Sequence, residues 1–406
     1  MLRSGRFLKQ VEGHTAFIPS NLPPDPPIRY DDEMHRILSD ANQNLARLDG
    51  VASTLPNPDL FVAMYVRHEA VLSSQIEGTQ STLEDVLQFE IDPKGGAIPK
   101  DVHEVVNYID AMKYGLDRLR EGRPLCLKLI RQIHGRLMAG TRGGEKTPGE
   151  FRTSQNWIGS GGCTLRNATF VPPPVHAIQD CLTHLEQFMH ETNLPILVRC
   201  ALIHAQFETI HPFLDGNGRV GRLLITFLLC NGGVLHTPLL YLSHYLKLHR
   251  QEYYERLTAI RVKDDWEGWL KFFYCGIAVV SSEATESARR ILKLRNDSVA
   301  RILSDSRINS TNGIRLLDYL FERPLTTPKL VRENLGVAHV TANKLIRQFE
   351  EIGLLTERTG FKRNQRFAYD PYLDVFAEGG TPVRDDSVPR QTTESKIDPD
   401  LKAEID

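Results

Sequence analysis

Twelve consecutive residues, HPFLDGNGRVGR from His211 to Arg222, combine an imidazole, a carboxylate, a glycine-flanked polar turn and two guanidiniums. His211 is the one side chain among them whose ordinary pKa suits a general base near neutrality. Asp215 is a hard oxygen ligand, suited to a Mg²⁺ that also touches phosphates. Gly216 and Gly218 allow positive φ and close backbone approach. Asn217 between them can hydrogen-bond a phosphate oxygen or hold the turn. Arg219 and Arg222 are spaced to fall on nearly one face of a helix, and arginine grips phosphate bidentately. Such a set could hold a triphosphate and Mg²⁺ beside a base, which suits nucleotidyl or phosphoryl transfer to a hydroxyl. Singly, each part has a plainer reading. D-G-N-G is a common turn and half a calcium loop, but the bidentate Glu such a loop needs at its twelfth position is absent. Neither a G-x-x-x-x-G-K-[ST] loop nor a kinase-type signature is present.

The flanking segments must position this loop. LPILVRCALIHAQFETI before it is mostly apolar with helical period, and VGRLLITFLLCNGG after it is a second apolar helix that Gly232 and Gly233 would stop. Helix, tight loop, helix is the expectation. A glycine-rich loop opening a helix offers unpaired N–H groups and the positive end of the dipole. Phe213 and Leu214 are expected to anchor the loop in the core.

A length of 406 residues allows two or three domains, and 41% hydrophobic with 25% charged residues is ordinary for a soluble globular chain. The formal net charge of −2 gives no global pull toward nucleic acid or membrane. No apolar run approaches a membrane span, and the first residues lack the apolar core of a secretory signal. Six cysteines are scattered without C-x-x-C spacing, which points away from disulfides and zinc and toward a reducing cytoplasm.

Residues 1–30 are a Pro-rich lead, read as an extended arm. A helix is expected from Asp32 to Leu48, ended by Gly50. The next has Asn57 as cap and Pro58 first, runs through LFVAMYVRHEAVLSSQI and stops at Gly78, with Ser73 and Glu77 sharing a face. A further helix is expected from Ser81, with Glu84 completing a capping box. Segments 101–121 and 124–139 are amphipathic helices. Residues 140–175, rich in Gly and Pro, read as a long loop containing a β-hairpin. Helices return from 176 to about 300. From Ser306, three helices capped in part by Thr327 and Thr341, then a hairpin with Arg358, Lys362, Arg363 and Arg366, give the pattern of a winged helix-turn-helix. Its recognition helix carries Asn343, Lys344, Arg347 and Gln348. DNA is one expected partner; protein contact is the other use of the same pattern. The expected division is arm and first helix 1–56, the Ser73–Glu77 helix 57–80, a helical core 98–280, a linker helix 281–305, the winged helix 306–376, and a tail 377–406 with few apolar residues, expected to be disordered. The fold class is all-α with a hairpin flap.

The twelve-residue stretch resembles the Fic family signature, H-x-F-x-[DE]-[GA]-N-[GK]-R-x-x-R, at every defined position, and the resemblance extends across roughly 60–280, including PGEFR and FVPPP. It implies a bacterial, cytoplasmic protein that transfers AMP from ATP to a Ser, Thr or Tyr hydroxyl of a protein. His211 would be the base, and Asp215 would hold Mg²⁺. Gly216, Asn217 and Gly218 would form the anion nest. Arg219 and Arg222 would hold the β- and γ-phosphates, with Val220 and Gly221 completing the ATP-binding turn. Phosphorylating members tend to carry Lys at the position of Gly218 and to lack the last arginine, so Gly218 and Arg222 favour AMP. Trp157–Ile158–Gly159 resembles the flap that takes a target by strand addition; the alternative is a surface loop with aromatic anchors. Tyr253 and Tyr254 resemble the adenine side of the site, and plain core is their alternative.

Ser73-x-x-x-Glu77-Gly78 resembles the family's inhibitory motif, [ST]-x-x-x-E-[GN], in the class with an N-terminal inhibitory helix. The resemblance implies that Glu77 pairs with Arg222 and competes with the γ-phosphate. It leaves room for a homodimer. Two other uses stay open: a transcription regulator that senses nucleotide, and removal of AMP with Glu77 activating water.

Overall fold

The computed structural model describes residues 2–377 except 12, 55–57, 94–98, 142, 160–161, 192 and 361–363. The expected cap Asn57, the hairpin residues Lys362 and Arg363, and the tail from 378 onward lie outside the described residues.

The N-terminal lead is a hairpin rather than a plain extended arm. Strands β1 (Gly5–Lys9) and β2 (Thr15–Pro19) pair antiparallel, with Gly5 opposite Pro19 and Lys9 opposite Thr15. Their root is fixed by Arg3, which pairs with Asp264 at 2.9 Å and Glu267 at 2.7 Å. Phe17 is fully buried, and its N–H donates to the Val171 carbonyl at 2.9 Å.

Helix α1 (Asp32–Ala52) opens on Asp31, whose carboxylate accepts from the Met34 N–H. It runs through Gly50. A glycine inside a helix costs up to about 1 kcal/mol, which burial of Leu45, Leu48 and Ala52 on the same helix offsets. Helix α2 (Pro58–Ile76) ends ahead of Gly78, whose φ of +98° suits glycine. Helix α3 (Leu83–Ile91) is opened by a capping box of Thr82 and Asp85, one residue past the expected Ser81 and Glu84. Ser81 instead donates its hydroxyl to Asp101 at 2.6 Å.

Helices α4 (Val102–Arg120) and α5 (Leu127–Leu137) lead to the long loop, in which Ile158 and Phe170 form a single antiparallel bridge. Then come α6 (Val175–Met189), α7 (Ile196–Ile210), α8 (Asn217–Asn231), α9 (Ser243–Leu248) and α10 (Arg250–Lys263). Helix α11 (Trp266–Ser304) is one continuous helix of 39 residues, so the stretch 281–305 is its second half rather than a separate linker. Helices α7 and α8 are buried on nearly every side, as central helices with apolar residues all round must be.

The C-terminal module comprises α12 (Ser310–Glu322), β3 (Leu325–Thr326), α13 (Pro328–Leu335), α14 (His339–Glu351), β4 (Thr356–Glu357), β5 (Phe367–Ala368) and α15 (Asp370–Leu373). Its sheet order is β3-β5-β4. Thr327 caps α13 as expected, but α14 starts after Ala338, leaving Thr341 inside its first turn. This module packs directly on α2. Phe61 meets Phe321 at 5.1 Å between ring centres, Tyr65 meets Phe376 at 5.2 Å, and Arg67 donates to the Glu322 carbonyl at 3.0 Å. Among the described residues, no helix is long and apolar enough to cross a membrane, and the six cysteines are free.

Candidate active site

The turn between α7 and α8 is set by hydrogen bonds. His211 ends α7 in the left-handed region (φ 50°, ψ 60°), its N–H donating to the Phe207 carbonyl at 2.9 Å. That conformation is costly for a side chain with a Cβ, and its surroundings hold it. Arg152 Nε donates to the His211 carbonyl at 2.9 Å, and Asn156 Nδ2 donates to the same oxygen at 3.3 Å and to the Phe213 carbonyl at 2.9 Å. Asn217 closes the loop on itself: Phe213 N–H donates to Asn217 Oδ1, and Asn217 Nδ2 to the Phe213 carbonyl, both at 2.8 Å. Of its two expected uses, the structure shows the hold on the turn. Gly216, at φ +75°, is the N-cap of α8. Phe213 is fully buried and stacks on His134 at 3.7 Å; Leu214, its expected fellow anchor, is only half-buried. Since Gly149 N–H donates to His134 Nδ1 at 2.8 Å, the proton sits on Nε2, which donates to the Asp215 carbonyl at 3.0 Å.

The first amides of α8 have no acceptor within the helix and form a nest for negative charge. Glu77 lies over that nest. A Cβ built on Gly218 would collide with Glu77 Oε1, and would stand 3.0 Å from an Arg222 nitrogen. Here Gly218 is required by close approach, and the positive φ belongs to Gly216 alone. Arg222 donates through Nη2 to Glu77 Oε1 at 2.6 Å and to the Ser73 carbonyl at 3.0 Å, and through Nε to Ser73 Oγ at 2.8 Å. The arginine side chain is 2% exposed but that of Glu77 is 33% exposed, so the carboxylate faces the mouth of the site. Burial would raise the Glu77 carboxyl; the Arg222 guanidinium outweighs it and keeps the acid below the ordinary carboxylate range. The end of α2 is held besides by Arg250, whose Nε donates to the Ile76 carbonyl at 3.1 Å.

The two arginines of α8 diverge instead of sharing a partner. Arg219 is buried and donates to Glu104 on α4 at 3.1 Å, with the Met138 sulfur at 3.4 Å and Asp215 Oδ1 at 3.9 Å. Asp215 Oδ1 accepts from the Gly216 N–H at 2.7 Å, and Oδ2 faces Lys146 Nζ at 3.1 Å. Its side chain is about a third exposed at the rim of the nest. An accessible carboxylate at the rim of an anion nest fits Mg²⁺, which takes one or two carboxylates and completes its shell with phosphates and water. His211 is pushed down to about 4 by burial and by Arg261 and Arg152; the Glu208 backbone carbonyl and Glu77 pull the other way. It is therefore neutral at pH 7, and its buried Nδ1 has no hydrogen-bond partner.

Other expected site residues stand further off. Val220 is core. Gly221 lets α8 approach α7, because a Cβ there would strike Glu208 Oε1. Tyr253 is core as well: its hydroxyl donates to His204 Nε2 at 2.8 Å, while His204 Nδ1 donates to the Gly221 carbonyl at 2.9 Å. Tyr254 is 40% exposed with the Arg250 guanidinium over its ring, and is the aromatic accessible to a base. In the flap, Ile158 N–H donates to the Phe170 carbonyl at 2.8 Å, and Trp157 is exposed with Nε1 donating to the Cys163 carbonyl at 3.2 Å. Gly159 is packed against Cys163. The residues not singled out beforehand are Arg152, Asn156, His134, Lys146, Glu104, Glu208 and Arg250. Arg152 lies within the PGEFR segment; nothing local marks the others.

A buried turn at a helix start, flanked by an imidazole and by arginines held against carboxylates, gives a helical domain with a site suited to an anion. The particular family follows from comparison. Residues 35–117 match the model of the Fic/DOC family N-terminal domain and residues 124–229 that of the Fic/DOC family, so this part of the chain belongs to that family. Relatives include the probable protein adenylyltransferase aq_aa38 of Aquifex aeolicus (strain VF5), 24% identical over 197 residues, 47% of this chain and 56% of that one. The protein adenylyltransferase Fic of Aedes aegypti is 29% identical over 210 residues, 49% of this chain and 38% of that one. That of Drosophila virilis is 32% identical over 168 residues, 39% of this chain and 31% of that one. The aligned stretch thus spans between about a third and just over half of these relatives. A Fic family protein of Desulfovibrio desulfuricans G20 shares the fold, with a TM-score of 0.56 at 19% identity, covering 88% of this chain and 99% of that one.

Proposed function

We propose that this protein is an adenylyltransferase that moves AMP from ATP to a Ser, Thr or Tyr hydroxyl of a protein, itself included, and that Glu77 holds it off. The observation that carries this reading is the pairing of Glu77 with Arg222 directly over Gly218. The carboxylate stands where a nucleotide phosphate would need both the helix start and the guanidinium. The names of the relatives support the same chemistry.

In this reading the nest of Gly216, Asn217 and Gly218 and the arginines Arg219 and Arg222 bind the triphosphate. Neutral His211 takes the proton of the target hydroxyl. The hydroxyl oxygen forms the new bond to the α-phosphorus, the bond from that phosphorus to the bridging oxygen breaks, and pyrophosphate leaves. Asp215 would hold Mg²⁺, which when bound neutralises phosphate charge. Trp157, Ile158 and Gly159 would present a target strand at the free edge of the Ile158–Phe170 bridge. Tyr254 would line the base.

We read the C-terminal module as a winged helix, which the order of α12, β3, α13, α14, β4 and β5 supports. Its DNA contacts would fall on the exposed face of α14, where Val340 is 78% exposed and Lys344 and Arg347 line a surface groove. Two hairpin arginines are engaged within the protein: Arg358, half exposed, pairs with Asp370, and Arg366 donates to Gln88 at 2.6 Å and Asp92 at 3.0 Å.

The test is label transfer with the Glu77→Gly protein and Mg²⁺. Label from the α-phosphate of ATP should appear on protein and label from the γ-phosphate should not. Incorporation of the γ label would overturn AMP transfer in favour of phosphorylation.

A further inference from the structure

Glu208 lies one helical turn before His211 on α7. It is 7% exposed, and its Oε1 has no hydrogen-bond partner. That oxygen rests against the α-carbon of Gly221, so the glycine before Arg222 on α8 makes room for a buried acid whose charge bears on that arginine. A buried carboxyl without partners is costly to keep, and nothing in the mechanism above uses it.

The groups around it explain what it can do. Arg222 on α8 and Arg261 on α10 favour its charged form, and Glu77 at the end of α2 opposes it. Tyr253 and Tyr254 on α10 sense its charge, and His204 on its own helix shares the Gly221 contact. Arg261 is itself buried, its Nε without a partner and its guanidinium 3.9 Å above the Phe170 ring. Arg222 also feels the buried Glu69 of α2, but the hydroxyls of Ser243 and Tyr108 already donate to that carboxyl, whereas Glu208 Oε1 has no such partner. While Glu77 holds Arg222, burial pushes Glu208 up to about 7. Once Glu77 leaves, its repulsion is gone and Arg222 loses its hydrogen-bonded carboxylate, and both changes favour ionised Glu208. A triphosphate arriving at the nest reverses this.

We propose that Glu208 is a positioning residue for Arg222: its carboxyl is the reserve counter-charge that holds the guanidinium at the nest after Glu77 departs, and it releases that hold by taking a proton when a triphosphate enters. The proposal rests on the nucleotide reading of the nest, and extends it.

The test uses full-length Glu77→Gly protein and Mg²⁺ with α,β-methylene-ATP, which binds without transferring AMP. Calorimetry in buffers of different ionisation enthalpy counts protons taken up on binding. Glu77→Gly should take up a larger fraction of a proton than Glu77→Gly with Glu208→Gln. Between pH 6 and 8.5 its Kd should climb more steeply with pH, by up to about tenfold per unit; titration of the nucleotide itself is common to both proteins. If the Gln variant fails to fold, Glu208→Leu replaces it with the same expectation. Equal proton counts and parallel pH profiles would overturn the role of Glu208 alone. Absence of binding to Glu77→Gly would overturn the nucleotide reading and this inference together.

Discussion

Glu77 Oε1 and Arg222 Nη2 lie 2.6 Å apart across 145 positions of sequence, and their contact covers the α-carbon of Gly218. One guanidinium thus has two claimants, a carboxylate from α2 and whatever anion the start of α8 attracts. The arginine is buried and cannot follow Glu77 outward. Glu77, a third exposed at the end of its helix, is the partner on the solvent side.

Ser73 shares the hold on Arg222 through both its hydroxyl and its carbonyl. Ser73→Ala removes one hydrogen bond to a charged donor, worth roughly 1.5–3 kcal/mol, but leaves Glu77. Transfer activity should rank wild type, then Ser73→Ala, then Glu77→Gly. A Ser73→Ala protein as active as Glu77→Gly would show that the hydroxyl, and not the carboxylate, is the restraint.

Arg152 ties the His211 carbonyl, the Pro173 carbonyl and the Pro212 region together from the flap side. Arg152→Lys keeps the charge but loses the fork. We expect the transfer rate of a Glu77→Gly protein to fall about a hundredfold, as for a slight misplacement of the base, with the Kd for ATP within a few-fold of its parent. An equal loss in both quantities would assign Arg152 to folding of the whole nest.

His134, His204 and His211 are each pushed down to about 4 by burial. Unfolded, they bind protons below about 6.5; folded, they do so only near 4. Their contribution to stability is therefore complete above pH 6.5 and is lost as pH falls toward 4. His204→Asn should lower Tm at pH 7 but reduce its slope between pH 6.5 and 4.5. An unchanged slope would mean that His204 is not neutral in the fold. The same reasoning places the acidic limb of transfer by Glu77→Gly well below that of a free imidazole, and loss of Glu77, which favours the charged ring, moves it further down.

On the C-terminal module, Lys344→Ala and Arg347→Ala should weaken binding of duplex DNA in a gel shift and flatten its salt dependence by about one phosphate contact each. Arg366→Ala should leave DNA binding unchanged, because that side chain meets Gln88 and Asp92. Salt-insensitive binding, or none, would assign the module to protein contact.

Much of the site was legible because its chemistry is local. From His211 to Arg222 the residues that make the turn are adjacent in sequence, and the Ser73–Glu77 pair follows from helical spacing. The failures have physical causes. Arg219 and Arg222 have the spacing of one face, yet their long side chains part toward Glu104 and Glu77, which lie on different helices. Tyr253 and Tyr254 are adjacent, and only the packing of His204 sends one inward and leaves the other at the surface. Gly50 looked like a stop but lies in a helix that burial sustains, and the cap of α3 shifted to Thr82 because Asp101 takes Ser81. Glu208 was invisible, since nothing in AQFETI distinguishes a buried acid from a solvated one. The grip of the C-terminal module on α2 depends on contacts such as Phe61 with Phe321, which no local pattern encodes.

The central claim is that Arg222 serves ATP only when Glu77 lets go. Intact-mass analysis of purified protein incubated with ATP and Mg²⁺, wild type beside Glu77→Gly and Glu77→Gly with His211→Ala, tests it most directly. Glu77→Gly should gain the mass of one or more AMP groups, and the other two should not. Equal gain in wild type and Glu77→Gly would contradict the competition for Arg222.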